Sequence, residues 1–261
     1  MAQKEIVQTQ TERHVEGADT VVLLIHGIIE GPAQFEPLIP IINKTGCSAV
    51  SILLPGHGKT GSEFSKNGRK QWTAYISRQI ELLRQRYQNI ILVGHSMGCL
   101  LSANSCLDNP SGIRGLFCIA MPLHIRLTAR GIINAVRVAL NRVKEDDPVS
   151  TAARDAYSIA QTPLYGYAAW LPRYLDLFRL CRSVRSRLHE IRVPVCIVHS
   201  AEDEFVSKRS LFSAQKALGA NLIEALVLKH SGHFYYPEED RKLLAQALLR
   251  RLLKIIRTEK C

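Results

Sequence analysis

The chain has 261 residues, 46% of them hydrophobic, which fits one domain, with or without a large insertion, around a substantial core. Its 34 Lys and Arg against 23 Asp and Glu leave a net charge of +11, but the basic residues are spread out and form no short block interleaved with aromatics. Nucleic-acid binding is therefore not expected, and most of the excess reads as solvated surface.

The seven cysteines, Cys47, Cys99, Cys106, Cys118, Cys181, Cys196 and Cys261, match no zinc or CxxC spacing. A reduced, cytoplasmic protein is the simplest account. The first residues carry no apolar signal core, and no long uncharged apolar run occurs.

Taken in order, the first clear strand is Thr20–Ile25, continuous and β-branched as expected of a strand buried on both faces. It runs into the turn-rich His26-Gly27-Ile28-Ile29-Glu30-Gly31-Pro32, then a helix over 33–44. A strand over 48–53 ends in Pro55-Gly56-His57-Gly58, and a polar loop leads to a helix over 72–87. The apolar run Asn89-Ile90-Ile91-Leu92-Val93 feeds Gly94-His95-Ser96-Met97-Gly98, and a helix follows until Asn109-Pro110. After a strand over 115–119 the rhythm changes: 121–191 reads as helical, broken at three prolines, and is too long for a plain connection. Alternation then resumes with a strand over 194–200, a helix over 208–218, a strand over 221–228 and a closing helix over 238–257. This order predicts a mostly parallel sheet with helices on both faces and ligands beyond the carboxyl ends of the strands.

A serine between two glycines at a strand-to-helix turn is the pattern of a nucleophile elbow. There the backbone is strained, the hydroxyl projects outward and both flanks must be small, here Gly94 and Gly98. A serine hydroxyl needs a base within reach, and the base needs an orienting carboxylate. Chain order in this architecture is Ser, acid, His. Past one strand end lies Glu202-Asp203-Glu204, with Asp203 preferred and its neighbours as alternatives. Past the last lies His230-Ser231-Gly232-His233, with His233 preferred and His230 the alternative. Oxyanion donors are expected from the backbone N–H of Met97 and of Ile28. His26 and His57 read as loop residues, His95 as packed or hydrogen-bonded beneath the elbow, and Trp72 and Trp170 as core.

These residues resemble the serine α/β-hydrolase superfamily, nearest the small carboxylesterases and monoacylglycerol-lipase-like enzymes. The resemblance rests on Leu-Leu-Ile-His-Gly at 23–27, Leu-Pro-Gly-His-Gly at 54–58, Gly-His-Ser-Met-Gly at 94–98 and Ser-Gly-His at 231–233. The segment 200–206 is similar to the family's Gly-x-x-Asp-x-x-Val, with Ser200 in place of Gly. The likeness covers residue 20 to the C-terminus. It implies an α/β-hydrolase core over 1–120 and 192–261 with a helical cap over 121–191. It also implies a catalytic triad of Ser96, Asp203 and His233 with no metal or organic cofactor. The implied activity is hydrolysis of short- to medium-chain acyl esters or monoacylglycerols through an acyl-enzyme on Ser96. Thioester, acyl-transfer, amide and C–C chemistry on the same triad are the alternatives, followed by a non-catalytic binding protein. Serine at the elbow argues against epoxide hydrolases and dehalogenases, which use Asp. The Arg-rich cap and the basic C-terminal helix (Arg250, Arg251, Lys254, Arg257) read as solvated faces, with peripheral membrane contact a lesser possibility.

Overall fold

A computed structural model describes residues 8–258. Seven strands form one sheet in the order β1-β3-β2-β4-β5-β6-β7. They are β1 (Thr11–Arg13), β2 (Thr20–Ile25), β3 (Ser48–Ser51), β4 (Asn89–His95), β5 (Ile113–Ile119), β6 (Val195–Ser200) and β7 (Leu222–Leu228). All neighbours pair in parallel except β1, which runs antiparallel to β3.

Side chains alternate across each strand, so the central strands must be apolar at every position. Val21, Leu23 and Ile25 of β2, with Ile90 and Leu92 of β4, enter one core; Val22 and Leu24, with Ile91 and Val93, enter the other. The first core is closed by α3 (Arg69–Arg84), α4 (Met97–Asp108), α7 (Leu171–Arg187) and α8 (Arg209–Leu218). The second is closed by α1 (Ile39–Asn43) and α9 (Glu238–Thr258). This is the α/β-hydrolase arrangement expected from the sequence.

Three local expectations are corrected. The single helix over 33–44 is two pieces, a 3₁₀ turn at Pro32–Phe35 and the short α1, because Pro37 and Pro40 have no N–H to donate to the carbonyls a turn behind them. The polar loop after Gly58 contains α2 (Gly61–Lys66), capped by the Thr60 side chain accepting from Glu63 N–H at 3.3 Å. The edge strand β1 was not foreseen: three polar residues carry no strand period, and only pairing with β3 makes them one.

Between β5 and β6 the chain leaves the sheet and forms α5 (Ala129–Ala139), α6 (Pro148–Ala156), a 3₁₀ segment (Leu164–Trp170) and α7. Trp170, 5% exposed, ties this insertion to the core: its indole N–H donates to the Gly61 carbonyl at 3.1 Å and its ring meets Phe64 edge-on at 5.0 Å. Trp72 is fully buried and donates to the Pro55 carbonyl at 3.0 Å.

The expected solvated basic faces are only partly so. Arg251 is buried against the sheet, and Arg250 pairs with Glu224 at 2.7 Å. Sequence periodicity could not separate them, because a long side chain buries its stem wherever its helix packs. Cys47, Cys99, Cys106, Cys118, Cys181 and Cys196 are free thiols and buried, while Cys261 lies outside the described residues. Among the described residues no helix is long and apolar enough to cross a membrane.

Candidate active site

The site is built where β4 turns into α4. Ser96 occupies φ 52°, ψ −122°, a conformation that L-residues avoid and that a surrounding structure must hold in place. Its N–H donates to the Ile119 carbonyl of β5 at 2.9 Å. The flanking glycines are obligatory for steric reasons. A Cβ on Gly94 would lie 2.5 Å from Cys99 N, and one on Gly98 would run into the carbonyl of Ile25.

Two loops bring the other groups to this turn. After β6, Asp203 accepts Phe205 and Val206 N–H on Oδ1, both at 2.8 Å, which fixes the carboxylate. Its Oδ2 accepts from His233 Nδ1 at 2.9 Å. After β7, His233 presents Nε2 to Ser96 Oγ at 3.0 Å. Ser96, Asp203 and His233 thus form one hydrogen-bonded chain, each buried. Of the alternatives weighed on sequence, Glu202 and His230 are exposed. Glu204 is buried, but its Oε2 accepts the backbone N–H of His233 at 2.9 Å and so holds the loop rather than the ring. Arg126 of the insertion donates to the Asp203 carbonyl at 3.1 Å, a contact that a reading of the cap arginines as solvated did not anticipate.

Burial alone would lower the His233 pKa. The Asp203 charge and hydrogen bond, reinforced by Glu30 and Glu204, reverse this and leave it above the usual histidine value. Burial would raise Asp203, but the His233 contact and the two loop amides hold it below the usual carboxylate range.

The loop after β2 faces the elbow. His57 donates from Nε2 to the Ile28 carbonyl at 2.6 Å, and the Leu54 N–H donates to His26 Nε2 at 3.0 Å. Burial pushes these two imidazoles down to about 4 and about 3, so both are neutral braces. His26 Nδ1 in turn donates to the Gly27 carbonyl at 2.9 Å, which fixes the Gly27–Ile28 peptide that carries the Ile28 N–H. Met97 opens α4, where the first N–H groups have no intrahelical acceptor. These are the two amides expected to meet an oxyanion.

One residue of this site was missed on sequence. Glu30, 1% exposed, accepts on Oε2 from Gly27 N–H at 2.6 Å, Gln34 Nε2 at 2.7 Å and His95 Nδ1 at 2.8 Å. Its Oε1 lies 3.8 Å from His233 Nε2. Burial works to raise its pKa, but the contacts to His95, His233 and Gln34 prevail and hold it down to about 2. The available signal was a lone Glu inside an apolar turn, His26-Gly27-Ile28-Ile29-Glu30, where a carboxylate needs partners to be buried. Donor atoms of Glu30, His95 and His233 lie within 4.8 Å of one another, as metal ligands could, but hydrogen bonds from Gly27 and His95 to Glu30 and between His233 and Ser96 already engage these side chains.

The insertion packs down on this centre. An enclosed space beside Phe205 and Phe234, lined also by Gly131, Asn134, Ala153 and Tyr157, has a volume of about 10 Å³, room for about one water.

The family described as serine aminopeptidase, S33, matches residues 16–240. The chain is 24% identical over 238 residues to the thermostable monoacylglycerol lipase of Bacillus sp. (strain H-257), covering 90% of this chain and 91% of that protein. It is similar in structure to the Paleococcus ferrophilus monoacylglycerol lipase, with a TM-score of 0.70 at 17% identity over 94% of this chain and 98% of the other. A soluble variant of the Saccharomyces cerevisiae monoglyceride lipase aligns with a TM-score of 0.73 at 13% identity, over 94% and 91% of the two chains. The match spans β2 to β7, the elbow and both loops that reach it, and the chain belongs to the serine aminopeptidase S33 family on the α/β-hydrolase fold.

Proposed function

We propose that the protein hydrolyses carboxylic esters of the monoacylglycerol or short- to medium-chain acyl type, with Ser96, His233 and Asp203 as its catalytic triad. The observation that carries this reading is the continuous chain Ser96 Oγ–His233 Nε2–His233 Nδ1–Asp203 Oδ2, with links of 3.0 and 2.9 Å. The similarity to the Bacillus monoacylglycerol lipase over nearly the whole chain supports the choice of substrate class.

In this mechanism His233 Nε2 takes the Ser96 proton as Oγ attacks the ester carbonyl. Asp203 keeps the Nδ1–H tautomer and stabilises the imidazolium. The Ile28 and Met97 amides hold the oxyanion, each contributing about 3 kcal/mol to the transition state. His233 then protonates the departing alkoxide, and the alcohol leaves an acyl-Ser96 ester. Water attacks that ester with His233 again as base, and the acid and free Ser96 are released. The segment 121–191 acts as a cap on the core formed by 1–120 and 192–261, excluding bulk water and shaping the acyl pocket.

The family's description names aminopeptidases, so amide cleavage is the second reading. The deciding experiment is a turnover panel of monoacylglycerols, p-nitrophenyl esters of graded chain length, acyl-CoA and aminoacyl arylamides, with wild type and Ser96→Ala side by side. Ester turnover that vanishes in Ser96→Ala is the expected result. Equal rates in the two proteins, or arylamide turnover alone, would refute the proposal.

A further inference from the structure

We propose that Glu30 is a positioning residue of the reaction: one of its oxygens braces the Gly27 amide and the His95 ring, and the other holds negative charge on the Ser96 side of His233. The inference rests on the reading that His233 is the base for Ser96. On that reading the imidazolium formed when Ser96 loses its proton lies between two carboxylates, Asp203 at Nδ1 and Glu30 near Nε2.

The geometry divides the work between the two oxygens of one side chain. Oε2 takes three donors: the Gly27 amide of the loop that carries Ile28, the Gln34 amide, and the ring of His95 next to the nucleophile. Oε1 is left toward His233 Nε2 at 3.8 Å, too long for a hydrogen bond and short enough for a strong charge interaction in a buried site. With Nδ1 donating to Glu30, the far nitrogen of His95 accepts, and the Tyr236 hydroxyl lies 3.2 Å from it, so the His95 ring is held between Glu30 and Tyr236 beside the base. The insertion locks the arrangement from outside: Ser158 N–H donates to the Ile29 carbonyl at 3.0 Å, and Ser158 Oγ donates to the Glu30 carbonyl.

Other charges share the space. Facing His233 are Asp203 and Glu204 from the loop after β6, His199 at the end of β6, His95 from the elbow and Tyr236 beyond the ring. Facing Glu30 are His26 and His57 beside its own loop and Tyr157 from the insertion. Removing the charge at residue 30 lowers His26 and His57 further, and both are already neutral, so their protonation does not change across the range of the assay.

Glu30→Gln isolates the charge. The amide carbonyl can occupy the Oε2 position and keep all three donors, while an uncharged NH₂ replaces Oε1. The readout is the rate at which a fluorophosphonate labels Ser96 as a function of pH, which reports the free-base fraction of His233 whatever the natural substrate. The acid-limb midpoint in Glu30→Gln should fall by about one pH unit. Glu30→Asp, which keeps the charge but withdraws it by one methylene, should fall between the two. A folded Glu30→Gln whose midpoint matches wild type, at any overall rate, would show a purely structural role and overturn the proposal. Should neither variant fold, as judged by a thermal melt, the residual labelling of Asp203→Ala decides: an acid-limb midpoint kept at or above the ordinary histidine value of about 6.5 supports a second carboxylate at the ring, and one below it overturns the proposal. If wild-type Ser96 is not labelled at any pH, the hydrolase reading itself fails and takes the proposal with it. That result is distinct from labelling with unshifted midpoints.

Discussion

Ser96 Oγ lies 3.0 Å from His233 Nε2 although 137 positions separate the two residues. The contact joins the end of β4 to the loop after β7, across the intervening strands β5 and β6. Removing the hydroxyl leaves the imidazole with nothing to deprotonate. Ser96→Ala should lower kcat for a short-chain ester by roughly 10⁵- to 10⁶-fold and abolish fluorophosphonate labelling. Residual turnover within tenfold of wild type would assign the chemistry elsewhere.

Asp203 is held by two loop amides and faces Nδ1, so in the proposed triad it would select the tautomer. An amide in place of the carboxylate can donate to Nδ1, which puts the ring proton on Nε2 and leaves no lone pair there to accept the Ser96 proton. Asp203→Asn is expected to cost about 10⁴-fold in kcat at neutral pH with the fold intact. Glu202→Gln, at an exposed position, should stay within twofold of wild type. Steady-state kinetics on the two variants checks both statements, and a large loss in Glu202→Gln would contradict the assignment.

Two opposite pH signatures follow from the site. His233 titrates above its unfolded value of about 6.5, so ester turnover should lose its acid limb at a midpoint above that value. The matching stability term is present in full below about 6.5 and is lost as pH rises through the folded value. Glu30 runs the other way. It is held to about 2 against 4.5 unperturbed, so its contribution is present above 4.5 and disappears as pH falls from 4.5 toward 2. Asp203 has the same sign. Melting temperature should therefore decline as pH drops below 4.5, and a flat profile from pH 5 to pH 3 would contradict the buried, ionised Glu30.

Gly98 is required by packing. The first added methyl would meet the Ile25 carbonyl at the end of β2, which is backbone and cannot swing away. Gly98→Ala should destabilise the fold by about 1–3 kcal/mol, a fall of several degrees in Tm, and should lower activity through displacement of the elbow. Unchanged Tm and kcat would show that the elbow has slack.

Trp170 clasps the insertion to α2 through one hydrogen bond and one edge-to-face ring contact. Trp170→Ala should cost about 3–5 kcal/mol and make residues 121–191 the first region cut in limited proteolysis. Cleavage beginning in the core instead would mean that the clasp is incidental.

Much of this site was legible because it is local. The elbow announces itself in five consecutive residues, since strand, strained turn and helix leave a small-Ser-small signature around Ser96. The loop acid and the loop histidine each follow a recognisable strand. What stayed hidden were relationships without a period. Nothing near Arg126 signals that it would reach the Asp203 carbonyl, and three polar residues at 11–13 become a strand only beside β3. The prolines at 37 and 40 were visible, but the apolar spacing around them still suggested one helix.

The sequence by itself determined the order of apolar runs along the chain, the strand-to-helix turn at Ser96 and the chain order of the loop acid and loop histidine, because these are written in side-chain periodicity and in which residues tolerate a strained backbone. Only the tertiary structure set Asp203, and not Glu202 or Glu204, against the His233 ring nitrogen, and brought the Glu30 carboxylate beside the same ring. A carboxylate's role depends on which donors converge on it. That convergence is a property of β2, β4 and β7 ending at one edge of the sheet, not of any stretch of chain.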